Sequence, residues 1–138
     1  MADVKLNFLL VCEQALVVNE DKGVKVSVIN IINRITAPNL PAFFPKFSVV
    51  TKITGDKGVY DQEIKIVSPL GKPLAGASGK SKIDDAFGHT FVADFSNVPL
   101  SDSGKYKIEV SIKKDDEEAF SVISDNSENN FFTLDIVQ

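Results

Sequence analysis

Side chains able to do chemistry near neutral pH are scarce in this chain: 138 residues hold one histidine, one cysteine and one methionine, and no tryptophan. The only arginine is Arg34. Each scarcity excludes something. Lone Cys12 cannot close an internal disulfide, and with a single His the usual zinc ligand sets cannot be assembled. A His-dependent triad, a two-His metal site or a His proton relay would have to run through His89 alone. Almost no bidentate forks exist for carboxylate or phosphate recognition. A net charge of -4 with a pI near 4.9, and lysines interleaved with acids, leaves no basic footprint for nucleic acid. No apolar run reaches membrane-spanning length, so no membrane partner is expected. The run Phe8 to Cys12 ends at Glu13, too short for a signal-peptide core, and no glycosylation or lipidation motif occurs. A cytoplasmic location is the expectation.

What the chain does have is β-periodicity. It is 43% hydrophobic and 25% charged, ordinary for one globular domain, here 1–138. Val, Ile and Phe outweigh the strong helix formers, and apolar residues recur with period two. Tyr106, Ile108, Val110 and Ile112 alternate with Lys105, Lys107, Glu109, Ser111 and Lys113, one face dry and one wet. Phe47 to Ile53, Ile64 and Ile66, Phe91 to Phe95 and Phe132 to Ile136 repeat the pattern. Turn signals separate them at Asn19–Gly23, Thr54–Gly58, Pro69–Lys72, Asp84–Gly88, Ser101–Gly104 and Ser124–Asn130. No segment reads as a helix; Phe8 to Val18 reads as a long strand able to bend. Residues 24 to 35 change phase, predicting a bulge near Val28 to Asn30 or burial on both faces. Gly71 to Ala86 predicts at most one edge strand, around Ser78 to Asp84. The fold class is all-β: a two-layer antiparallel immunoglobulin-like β-sandwich of about seven to nine strands.

The segment Leu100 to Ile108 places Asp102, Gly104 and Tyr106 at two-residue intervals where a turn enters a strand. This resembles the tyrosine corner of immunoglobulin-type sandwiches, in which the ring is buried and its hydroxyl reaches back to the turn. Ile108 stands where such domains carry a disulfide cysteine, so the resemblance is to the architecture and not to an antibody domain. The order Leu9-Leu-Val-Cys12, Gly23-Val-Lys-Val-Ser-Val-Ile-Asn, then Arg34-Ile-Thr-Ala37-Pro38-Asn-Leu-Pro41-Ala42 and Phe47-Ser-Val-Val resembles a family of small uncharacterised bacterial proteins. That family is known as a domain of unknown function with an immunoglobulin-like sandwich. The resemblance implies no catalytic residues.

Candidate sites are few. Thr36 to Lys46 reads as a loop stiffened by Pro38, Pro41 and Pro45 and carrying Phe43 and Phe44, which serve either as binding anchors or as a plug over the end of the core. Asp115-Asp116-Glu117-Glu118 is the one dense acidic run; it lacks calcium-loop spacing and reads as a solvated hairpin, with no metal expected. If residues 24 to 35 and 105 to 113 are the B and F strands, the loops after both share one end, and an apolar patch edged by Asp115 and Asp116 results. The function expected is a non-enzymatic protein-binding or structural module without cofactors, partnered by another protein or a second copy through a loop end or edge strand. The alternatives are a carbohydrate or small-ligand sandwich, disfavoured by the absent Trp, and after it a hydrolase.

Overall fold

A computed structural model describes residues 3–20, 23–124 and 131–136. Among these there is no helix; the ten strands are β1 (Val4–Glu20), β2 (Gly23–Ile31), β3 (Arg34–Ala37), β4 (Ala42–Gly55), β5 (Gly58–Val67), β6 (Pro73–Ile83), β7 (His89–Leu100), β8 (Gly104–Lys114), β9 (Ser121–Val122) and β10 (Phe131–Ile136). One sheet runs β2-β1-β4-β7. The other runs β3-β10-β8-β5-β6, with β9 beside β8. Set against immunoglobulin connectivity, β1-β4-β7 stand as A-B-E and β5-β8-β10 as C-F-G. Residues 21–22 of the expected turn Asn19–Gly23 and 125–130 of the polar run Ser124–Asn130 lie outside the described residues.

The alternation read in the sequence becomes burial directly in β8, where Tyr106, Ile108, Val110 and Ile112 are buried and Lys105 and Lys107 exposed. Several details of that expectation are corrected. Residues 24 to 35 are not one strand buried on both faces. β2 ends its sheet with Ile29 and Ile31 exposed, and the chain then changes sheets within two residues: Ile32 N–H donates to Val11 of β1, while the Asn33 carbonyl accepts from Thr133 of β10. The irregularity expected near Val28 to Asn30 is a left-handed backbone at Asn30 (φ 54°), with no shift of register against β1. Crossing over leaves β3 parallel to β10, so the sandwich is not antiparallel throughout, and the B position belongs to β4. Splitting this segment and adding the short β9 raises the count to ten. Gly71 to Ala86 holds one edge strand, β6, but it begins at Pro73, five residues before the expected start.

The core lies between the sheets. Phe47 stacks on Phe44 and Phe95 (centroids 4.0 and 5.1 Å), and Phe132 lies flat against Tyr106 at 5.2 Å. Toward the other end, Ile53, Tyr60, Ile83 and Ile112 form a second, smaller cluster. Buried Thr51, Gln62 and Ser81 form a hydrogen-bonded chain across the interior. Cys12 is fully buried on β1, and burial pushes its thiol pKa up, so it is a core residue with an unreactive sulfur.

Candidate functional site

β1 pairs with β4 from Val4↔Gly55 to Cys12↔Ser48 and no further. Beyond that point, among the described residues, β1 pairs only with β2, down to Glu20↔Gly23, so the two form a ribbon leaving the body of the sheet. β4 continues back to Ala42 beside β7 alone. An open groove of about 520 Å3 lies where the two strands part. Gln14 and Ile29 of the ribbon line one side, Phe43 and Lys46 of β4 the other, with Ile32, Ile35 and buried Phe44 beneath. Polar groups at its border are held in place: Asn30 Nδ2 donates to Glu13 Oε2 at 3.0 Å, and Arg34 Nε lies 3.0 Å from Asp135 Oδ2.

The segment carrying the two phenylalanines is mostly strand rather than loop, since β4 already begins at Ala42. Pro45 is tolerated because β4 has a neighbour on one side only at this level. Opposite it, Asn97 takes a left-handed backbone (φ 52°), and both strands change phase together, so Phe44 and Phe47 point inward on β4 and Phe95 and Val98 on β7. This splits the pair. Phe44 is 6% exposed and belongs to the core, the plug of the two expected roles, forming the floor of the groove; Phe43 is 62% exposed and stands at its side.

Asp115 and Asp116 stand elsewhere. Asp115 N–H donates to the Val59 carbonyl, and β8 ends where Lys114 faces Tyr60, beside the β4–β5 turn. That is the far end of β4 from Phe43, so the expected patch of Phe43 edged by Asp115 and Asp116 does not form. The reason is that β4, not residues 24 to 35, holds the B position. Asp115 also pairs with Lys80 Nζ (2.9 Å), which bridges to Asp61 (2.7 Å). Lys80 and Lys113 together hold the Asp61 carboxyl below its usual pKa. Among the described residues no three His, Cys, Asp or Glu side chains group as a metal site.

Asp102, Gly104 and Tyr106 meet at the Phe44 end of the core. The buried Tyr106 hydroxyl donates to the Asp102 carbonyl at 2.5 Å and accepts from Asp102 N–H at 3.2 Å. Gly104 holds φ 126° there. His89, half-buried at the start of β7, lies outside the groove, and burial lowers its pKa against a smaller opposing effect of the Lys82 backbone. A folded pKa below the unfolded value of 6.5 makes its contribution complete above that pH and lost as pH falls below it. As the only histidine, it is separable: His89→Gln should flatten the Tm-versus-pH slope between about pH 6.5 and pH 5, where carboxylates take over. Unchanged slopes in thermal melts would remove His89 as their source.

Residues 7–123 match a family described as "Family of unknown function (DUF6941)". The chain belongs to DUF6941. The match includes all the residues lining the groove in this DUF6941 chain. No curated protein matches it. Among solved structures it is similar to the C-terminal domain of wzt (TM-score 0.52, 14% identity, covering 98% of this chain and 75% of that one). It also aligns with CopC from Methylosinus trichosporium OB3b (TM-score 0.34, 14% identity, 91% and 97% covered). At that identity the wzt likeness speaks for the fold of the DUF6941 chain alone. Gln14, Ile29 and Lys46 were not legible as groove residues, because their meeting depends on where β1 leaves β4, which no local pattern encodes.

Proposed function

We propose that this chain is a non-enzymatic protein-binding module whose contact surface is the groove at the Phe43 end of the sandwich. The observation that carries the reading is the parting of β1 and β4 after Cys12↔Ser48 around an exposed Phe43. Among the described residues two strand edges there lack a sheet neighbour, which suits an extended segment of another protein seated by backbone pairing, with its apolar side chains on Ile29, Ile35 and Phe43. Among the described residues that line the groove, the titratable ones are Glu13, Arg34 and Lys46, with no Ser, Cys or His beside them, which supports binding over Ser-, Cys- or His-based catalysis.

Phe43→Ala should cost at least tenfold in affinity for proteins retained by the wild type, as expected of an aromatic anchor. Phe87, a 77% exposed ring at the β6–β7 turn near the opposite end, supplies the control, and Phe87→Ala should bind as the wild type does. Quantitative pull-downs of the three proteins decide it. Equal retention by Phe43→Ala and wild type would defeat the groove reading.

A further inference from the structure

Open sheet edges invite strand pairing, and folded proteins shield them with brevity, proline, charge or irregular backbone. The edges of this sandwich are shielded unequally. β3 has four residues and β9 two. β6 carries Pro73, Lys80 and Lys82, and β7 carries Asp94, a left-handed Asn97 and Pro99. β2 has fewer of these defences: one lysine, and a left-handed Asn30 one residue from its end. It is nine residues long, Gly-Val-Lys-Val-Ser-Val-Ile-Asn-Ile, without proline, and exposes Ile29 (39%) and Ile31 (55%).

We infer that β2 is a dimerisation edge that pairs antiparallel with β2 of a second copy, two-fold about Ser27, joining the two four-stranded sheets into one of eight. This surface is the outer edge of β2 and goes beyond the groove. The second copy is favoured by self-complementarity. Ser27 is the midpoint of β2, so a two-fold there gives the longest ladder. It sets Val26 opposite Val28 of the second copy and Val28 opposite its Val26, as β-branched cross-strand pairs. Lys25, the only charge on β2, then faces Ile29 of the second copy and never another Lys25. An isologous contact of this kind closes on itself as a dimer. The strand is about 30 Å long and the edge about 10 Å deep, so both copies together bury roughly 600 Å2. Stable complexes bury about 1,200 Å2 or more, so the dimer dissociates on dilution.

Sedimentation equilibrium of the full chain from low micromolar to near-millimolar concentration should show the mass rising from 15.0 kDa toward twice that value. Val26→Lys with Val28→Lys sets lysine against lysine in both pairs and should hold the chain monomeric. Val26→Lys with Val28→Glu loses the same apolar surface but pairs opposite charges, and should restore the dimer. Circular dichroism checks that each variant is folded. Independently, Ser27→Cys lies on the axis and should cross-link under mild oxidation, whereas Lys25→Cys should not. A monomer at every concentration, a dimer indifferent to the two lysines, or equal behaviour of the Lys/Lys and Lys/Glu variants would overturn the inference. So would a monomer that instead binds an unrelated extended peptide along β2.

Discussion

Tyr106→Ala should destabilise the fold by about 3–5 kcal/mol, the range for emptying a buried aromatic site. The ring is fully buried and lies parallel to Phe132 (interplanar angle 2°), which in turn meets Phe44 edge-on at 5.5 Å. Removing it opens a cavity bounded by strands of both sheets, where a rigid stack cannot collapse to refill the space. Tyr106→Phe keeps the ring and loses only the hydroxyl's bonds to Asp102, so its cost should be near 1 kcal/mol. At this chain length each kcal/mol moves Tm by about 3–4 °C, so the two variants separate clearly in thermal melts. Identical curves for wild type and Tyr106→Phe would show that the corner hydrogen bonds add nothing to stability, leaving the ring as a packing element only.

Tyr106 also shows where sequence reading works. Its strand is central, with β5 on one side and β10 on the other, and one of its faces is pressed against the opposite sheet. Period-two alternation survives such an environment intact. β6 shows the opposite. Its interior-facing positions include Ala75, Ala77 and Gly79, too small to register as apolar alternation, and the space is filled by a neighbour: a Cβ on Gly79 would lie 2.7 Å from the Phe91 ring. The strand's hydrophobicity therefore stands on β7, out of reach of any local pattern. Phe43 and Phe44 were legible as a pair, but which of them turns inward was not, because that depends on the phase change shared by Pro45 and Asn97 across two strands. The same limit hid the groove and misplaced the acidic turn. Both follow from which strand takes the B position, a property of topology rather than composition.

Gln62→Leu should destabilise the fold by about 2–4 kcal/mol although it makes the interior more apolar. Gln62 shares the phase of Tyr60, Ile64 and Ile66, all fully buried, and is itself 0% exposed. Its Nε2 donates to Thr51 Oγ1 at 2.6 Å, and its Oε1 accepts from Ser81 Oγ at 3.0 Å. One amide thus ties β5 to β6 beside it and to β4 in the opposing sheet. Every buried side-chain polar atom among the described residues has a partner, so the substitution orphans two hydroxyls at once. Leaving buried polar groups unpaired costs more than their hydrogen bonds contributed. Replacing the whole chain with apolar groups of similar shape removes that penalty: Gln62→Leu combined with Thr51→Val and Ser81→Ala should recover most of the loss. Urea denaturation of the single and triple variants tests this. A triple variant as unstable as Gln62→Leu alone would mean that packing at Gln62, rather than unmet hydroxyls, sets the cost. A recovered triple with broadened amide resonances would show that the polar chain holds the two sheets in a single arrangement.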